Sequence, residues 1–232
     1  MNVCLFLIFH LRNAMLPDGE AAQVGGVLMR LPKLAKALIH TSSAVSDPYK
    51  AVSDPYNRDE APPQLALQLY FETLPDLEAA TAHDCFGALA SRGPLADADI
   101  AQQAMLVRPF AVPEPKNASE PPYCTYLVSY EGEAQDINAW LHHYLEKHTA
   151  HMARFPGIRE LEVYTRLDAV SVLPWRRLNC MQRNKVAFDS PEALTAALHS
   201  PVRHEMRADF NAFPPFTGPV RHHAMATRVL RP

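Results

Sequence analysis

The strongest constraint on the fold is that one succession of segments can be read twice along the chain. "CLFLIF" from Cys4 and "CTYLVS" from Cys124 align at an offset of 120, pairing Phe6 with Tyr126 and Leu7 with Leu127. "AMLVRPF" from Ala104 and "AMATRVL" from Ala224 keep that offset, pairing Met105 with Met225 and Arg108 with Arg228. Between them "MRLPKLAKALIHT" parallels "ARFPGIRELEVYT", matching Pro32 to Pro156, Leu34 to Ile158 and Thr41 to Thr165. "FETLPDLEAA" likewise parallels "FDSPEALTAA", matching Phe71 to Phe188 and Leu77 to Leu194. Matches kept in the same order point to a diverged tandem repeat. Residues 111–122, "AVPEPKNASEPP", carry four prolines and read as an extended linker between a first unit, 1–110, and a second, 123–232.

Each half then reads strand, helix, strand, strand, helix, strand. In the second half the strands fall near 123–130, 160–166, 183–188 and 223–230, and the helices near 135–154 and 190–211. Ser190 followed by Pro191 and Glu192 makes an N-cap, a proline in the first turn and a carboxylate near the positive end of the dipole. Thr73 takes the matching cap position in the first half. This βαββαβ order is the ferredoxin-like unit, an α+β fold with two helices on one face of a four-stranded antiparallel sheet. The other sheet face needs cover, which a second copy in the same chain could supply.

With 232 residues, 48% of them apolar, the chain can bury a full core. A formal charge of −3 gives no electrostatic footprint for nucleic acid or acidic lipid. No apolar run approaches the roughly 20 residues that span a bilayer, and "VCLFLIF" near the start reads as a buried strand rather than a secretory signal. Cys4, Cys85, Cys124 and Cys180 are scattered and read as reduced, buried thiols of a cytoplasmic protein. Glycine-rich phosphate loops are absent, which argues against nucleotide binding. "AVSDPYK" at residue 44 is followed at once by "AVSDPY", an insertion that reads as a mobile, functionally idle loop, with a tyrosine-bearing lid as the alternative.

The stretch "NAWLHHYLEKHTAHMARFPGIR" holds four histidines within ten residues. At about 100° per residue, Ile137, Leu141, Tyr144, Leu145, Met152 and Phe155 all fall within about 60° of His148. His148 is therefore at the centre of the apolar stripe, His151 at its edge with Trp140 beyond, and His142 and His143 toward solvent. Four ligands cannot converge on one metal from this arrangement. An i, i+3 pair, His148 and His151, would need help from elsewhere, such as His222 or His223, so no metal site is expected. A buried imidazole has a lowered pKa and stays neutral, as a general base requires, although a hydrogen-bonded core histidine has the same pattern.

Trp140, Tyr144, His148, Phe155-Pro156-Gly157 and Tyr164, as they stand in "WLHHYLEKHTAHMARFPGIRELEVYTR", resemble the signature of the EthD-like proteins of the dimeric α+β barrel superfamily. "FDSPEALTAALHSP" with "ADF" at 208–210 resembles a later region of that family. The resemblance implies a barrel of two ferredoxin-like sheets, with an apolar pocket between each sheet and its own helices. It also gives His148 a pocket role. By the Pro32–Pro156 alignment the first half has Val24 at the place of His148, Val27 at that of His151 and Lys33 for Gly157. The first unit is thus expected to be degenerate and structural, and the second to keep the site.

The resemblance, with the place of His148, implies a cofactor-independent catabolic or biosynthetic enzyme performing proton-transfer chemistry of the isomerase, lyase or dehydratase type on a small apolar carbonyl compound. His148 would move the proton, with Tyr144 or a pocket tyrosine orienting the oxygen. Trp140, His151 and Met152 on the helix, Tyr126 and Tyr164 on strands, Trp175 and Arg228 would contact substrate. Tyr130 and Arg108 share the strand pattern, and Asp168 is a further possible partner for an imidazole. The alternatives are a non-catalytic binding or accessory protein for a hydrophobic small molecule, and haem binding or monooxygenation. One chain could close the barrel as a pseudo-dimeric monomer, or two could pair as a homodimer.

Overall fold

A computed structural model describes residues 2–12, 16–49, 61–115 and 123–232. The first half supplies β1 (Val3–His10), α1 (Glu20–Leu28), β2 (Lys36–Ser42), β3 (Leu65–Phe71), α2 (Leu74–Ala80), α3 (Cys85–Ala90) and β4 (Asp99–Phe110). The second supplies β5 (Tyr123–Tyr130), α4 (Ile137–His143), α5 (Thr149–Met152), β6 (Glu160–Arg166), a two-residue β7 (Arg176–Arg177), β8 (Gln182–Phe188), α6 (Pro191–Leu198), α7 (Pro201–Phe210) and β9 (Val220–Leu230). Thr73 and Ser190 cap their helices as the sequence indicates, accepting from the backbone N–H of Asp76 and Ala193, each at 3.2 Å. The long helix expected over 190–211 is instead two, because Pro201 holds Ser200 extended at ψ 160°.

Eight strands close into an antiparallel barrel in the order β1-β3-β2-β9-β5-β8-β6-β4, with β4 pairing back to β1. Each half contributes one ferredoxin-like sheet, built from one βαββαβ unit. The seams pair the second strand of one half with the last strand of the other, and their registers agree. Thr41 stands opposite Ala226 and Thr165 opposite Leu106. Those pairs repeat the matches Thr41–Thr165 and, at offset 120, Leu106–Ala226. The barrel is complete within one chain, so a second copy is not needed to close it.

One sequence match slips. Cys4 and Phe6 face the barrel interior, whereas Cys124 and Tyr126 lie on the helix-covered face. Phe71 and Phe188 do share a face, and they stand opposite Val3 and Cys124. The opening strands therefore correspond at offset 121, not 120. A one-residue shift moves every strand side chain to the opposite face, so similarity of two apolar runs cannot fix it.

The barrel interior is polar at its centre. The fully buried Lys185 Nζ lies 2.9 Å from Glu160 Oε1 and 3.0 Å from Glu162 Oε2. Tyr70 and Tyr164 hydroxyls donate to Glu162 Oε2 at 2.5 and 2.6 Å. Burial works to raise the Glu162 carboxyl, but Lys185 and Lys36 outweigh it and lower it to about 2. On the outer faces, two apolar layers pack under the helices, one per half. In the first half this layer is filled by Val24, Leu28, Phe86 and Leu89, all 2% exposed or less. Lys33 has φ 61° and Gly157 φ 73°, so the two halves keep the same left-handed turn although only one uses glycine.

Candidate active site

The histidine-rich segment begins at Asp136, whose Oδ1 accepts from the backbone N–H of Asn138 at 2.9 Å and Ala139 at 3.0 Å. The helix runs from Ile137 to Met152, but its middle, Tyr144–His148, widens into a π turn. Two residues five apart lie about 140° apart on an α-helix and come together where bonds close at i+5. That widening corrects the reading of His143. It does not point to solvent: its Nε2 lies 2.9 Å from Asp209 Oδ1, while His148 Nδ1 lies 2.8 Å from Asp209 Oδ2. His142 is exposed, beside Glu146 at 3.2 Å.

His148 is the most buried of the four histidines. Its side chain is 5% exposed and its ring packs against Tyr144 and Phe213, both at 4.9 Å between centroids. Burial pushes its pKa down, against the pull of Asp209, and the net shift is downward. Burial also works to raise the Asp209 carboxyl, but the hydrogen bonds from His148 and His143 prevail and lower it. Neutral imidazole with Nδ1 toward a carboxylate carries its proton there, leaving Nε2 with a lone pair. No hydrogen bond to Nε2 occurs among the described residues.

His148 forms part of the wall of a cavity of about 50 Å³ between the second-half sheet and helices. Tyr126, Val128, Tyr130, Asn184 and His222 line it from the sheet, Met152, Arg203, Met206 and Phe210 from the helices, and Phe155 from the turn after α5. Asn184 Nδ2 donates to the Tyr144 hydroxyl at 2.5 Å, and its Oδ1 is buried with no partner among the described residues. Under the helix, Trp140 stacks on Tyr144 at 5.1 Å, and Phe213 closes over both rings.

A strap from the first half packs on the second-half helices beside the cavity. Residues 43–49, which include most of the first AVSDPYK copy, leave β2 and run over α6 and α7. Ser46 Oγ meets His199 Nε2 at 3.1 Å and the Tyr49 hydroxyl meets His204 Nδ1 at 2.6 Å. Asp47 is buried beneath the strap: its Oδ2 accepts from the Tyr126 hydroxyl at 2.7 Å and from Arg203 at 3.1 Å. Burial opposes ionisation of Asp47, but the Arg203 charge and the Tyr126 hydrogen bond win and lower its pKa. Residues 44–49 are thus held against the second-half helices, and Tyr49 lines the cavity. The second copy lies outside the described residues.

Of the sequence candidates, the structure brings His148, Met152 and Tyr126 to the cavity, together with Tyr130. Tyr144 and Trp140 are fully buried behind His148, so neither presents a hydroxyl or ring to a ligand there. His151 turns to Glu205 at 3.5 Å on the helix exterior. Tyr164 falls inside the barrel, because Glu162 and Tyr164 share the strand face opposite Leu161 and Val163. Trp175 packs on Phe9 and Phe86 of the first half, and Arg228 is exposed on β9. Asp168 lies in the 167–175 connection beside Leu77 and Gln102, far from the imidazole it might have served. Asp209, Asn184, Arg203 and Asp47 were missed. Only "ADF" at 208–210 hinted at one of them, and no spacing rule ties Asp209 to His148 across 61 residues.

Among the described residues no cluster of three or more His, Cys, Asp or Glu side chains could hold a metal ion. No helix there is long and apolar enough to cross a membrane. In sequence, no family profile and no curated protein matches the chain. In structure it is similar to an anthrone oxidase-like protein, with TM-score 0.62 and 12% identity over 99% of this chain and 93% of that one. A protein from Lactobacillus acidophilus provisionally assigned as a monooxygenase aligns with TM-score 0.54 and 13% identity, over 100% and 97%. Chlorite dismutase from Candidatus Nitrospira defluvii aligns with TM-score 0.53 and 12% identity, over 97% and 91%. Both halves of this chain align within one chain of each. These likenesses show the fold, an α+β barrel of two ferredoxin-like sheets.

Proposed function

We propose that the second-half cavity is the active site of an enzyme that removes a proton from carbon next to the carbonyl of a small, largely apolar aromatic compound. The observation that carries this reading is the buried His148–Asp209 pair at the wall of a cavity of mixed polar and apolar lining. A base must be neutral at rest and tolerate a charge when it works. Burial supplies the first condition and the Asp209 carboxylate the second, by stabilising the imidazolium that forms. The C–H proton passes to His148 Nε2, the electron pair moves onto the carbonyl oxygen, and the proton returns to carbon or leaves for solvent. The Asn184 amide, anchored at one end on Tyr144, offers its unpaired end to the cavity and can turn its N–H to the enolate oxygen. Isomerisation, elimination and cofactor-independent oxidation can all begin from that enolate.

The likeness to an anthrone oxidase-like protein favours aromatic ketones with an acidic methylene, because anthrone is such a carbon acid. A binding or accessory protein would need no carboxylate behind a buried imidazole, and a backbone-bonded histidine in an all-carbon wall would have suited it. The test is solvent deuterium uptake, without oxygen, at the acidic methylene of anthrone. Catalysed exchange that disappears in His148→Ala supports the reading. Exchange no faster than buffer, or equal in both proteins, refutes it.

A further inference from the structure

At the wall of the cavity Arg203 meets a buried carboxylate, Asp47, in a charged pair that proton removal does not use. Arg203 projects from α7 with 12% of its side chain exposed, and the carboxylate it meets is not from the same half. Asp47 arrives on the strap, buried to 2%, and takes one guanidinium nitrogen, Nη2, at 3.1 Å. Arg203 Nε is buried with no partner among the described residues. A guanidinium is built to hold a carboxylate through two parallel N–H donors, so this one is only half used. Tyr126 adds a third donor, its hydroxyl at 2.7 Å from Asp47 Oδ2. Strand β5 and helix α7 thus build a seat for an anion, and a loop outside either element fills it.

We infer that Arg203 and Tyr126 form a carboxylate-binding subsite in which Asp47 stands in for the carboxylate of the substrate. The ligand class follows: an aromatic carbonyl compound carrying one carboxylate, whose entry displaces Asp47 and frees the strap. If Asp47 left with nothing in its place, the guanidinium would stay desolvated and unpaired, a costly state. A carboxylate ligand removes that cost, and a neutral ligand does not. Exchange of one carboxylate for another therefore couples entry to ligand charge. The subsite deepens the proton-transfer reading, since it places the ligand in the cavity that His148 lines.

The test is calorimetric binding of anthraquinone-2-carboxylate and its neutral methyl ester to the full chain. Asp47→Asn removes the competing charge, so the carboxylate is expected to bind at least about tenfold tighter while the ester changes little. Tyr126→Phe, which keeps the ring in the sheet, is expected to weaken the carboxylate several-fold and spare the ester. Equal changes for both ligands in either variant would make Asp47 a latch and overturn the inference. So would failure of Asp47→Asn to bind the carboxylate at millimolar concentration. The same pair of titrations in His148→Ala separates the two readings. There the carboxylate preference is expected to persist, whatever that variant does to deuterium exchange.

Discussion

Replacing Asp209 with Asn keeps the side chain's size and removes the charge that faces His148. The hydrogen bond between the two is short, 2.8 Å, and both side chains are less than a tenth exposed. Hydrogen bonds to charged groups contribute about 1.5–3 kcal/mol and neutral ones about 0.5–1.5. The imidazolium therefore loses on the order of 1–2 kcal/mol of support, which lowers the proton-transfer rate roughly 5- to 30-fold. A second effect adds to it. An Asn amide can donate to Nδ1, which moves the imidazole proton to Nε2 and leaves no lone pair toward the cavity. The assay needs no substrate: the ring nitrogens of His148 report tautomer and titration by NMR. In the wild type the neutral ring should carry its proton on Nδ1 and titrate below the ordinary 6.5. Because Asp209 raises the His148 pKa against burial, Asp209→Asn should move the midpoint lower still and shift the proton toward Nε2. An unchanged tautomer and midpoint would refute the assignment of Asp209 as the group that positions His148.

Three further outcomes follow from the same geometry. Gly132 presses against the chain at Thr217, where a Cβ would overlap the carbonyl of Thr217 and no side-chain rotation can relieve it. Gly132→Ala should therefore cost about 1–3 kcal/mol, read as a fall in thermal midpoint, and loosen the loop that carries Phe213 and Phe216. The Glu162 carboxyl titrates at about 2 in the folded chain against an ordinary 4.5, so the stability it contributes is full above pH 4.5 and is lost as pH falls through 2. Acid unfolding by circular dichroism should steepen in that window, and Glu162→Gln should flatten it while destabilising the protein by about 3 kcal/mol at neutral pH. Haemin titration should give no Soret band that depends on His148; a band lost in His148→Ala would redirect the account to haem.

Periodicity and caps made the architecture legible. The βαββαβ order, the strands at 123–130 and 160–166 and the caps at Thr73 and Ser190 could all be read from residue patterns. The apolar stripe located His148. What could not be read depends on contacts between distant segments. Asp209 meets His148 across three intervening strands, and Asp47 reaches Arg203 across 156 residues and from the other half. Local geometry misled in two places. A wheel of constant pitch put His143 in solvent because nothing in "HHYLEKH" announces a π turn, and matching apolar runs could not resolve the one-residue slip between β1 and β5. Tyr164 inside the barrel, Trp175 packed on the first half and Arg228 exposed on β9 lie away from the cavity that His148 lines, a distinction that composition does not carry.

The central claim is that His148 removes a proton from carbon with Asp209 behind it. It is tested most directly by the pH profile of anaerobic deuterium uptake into anthrone, compared between wild type and His148→Ala. The account predicts catalysed exchange in the wild type, with an acid limb below pH 6.5 because burial lowers the His148 pKa, and a loss of about 100-fold or more in the variant. A variant that exchanges as fast as the wild type, with the same acid limb, would contradict it.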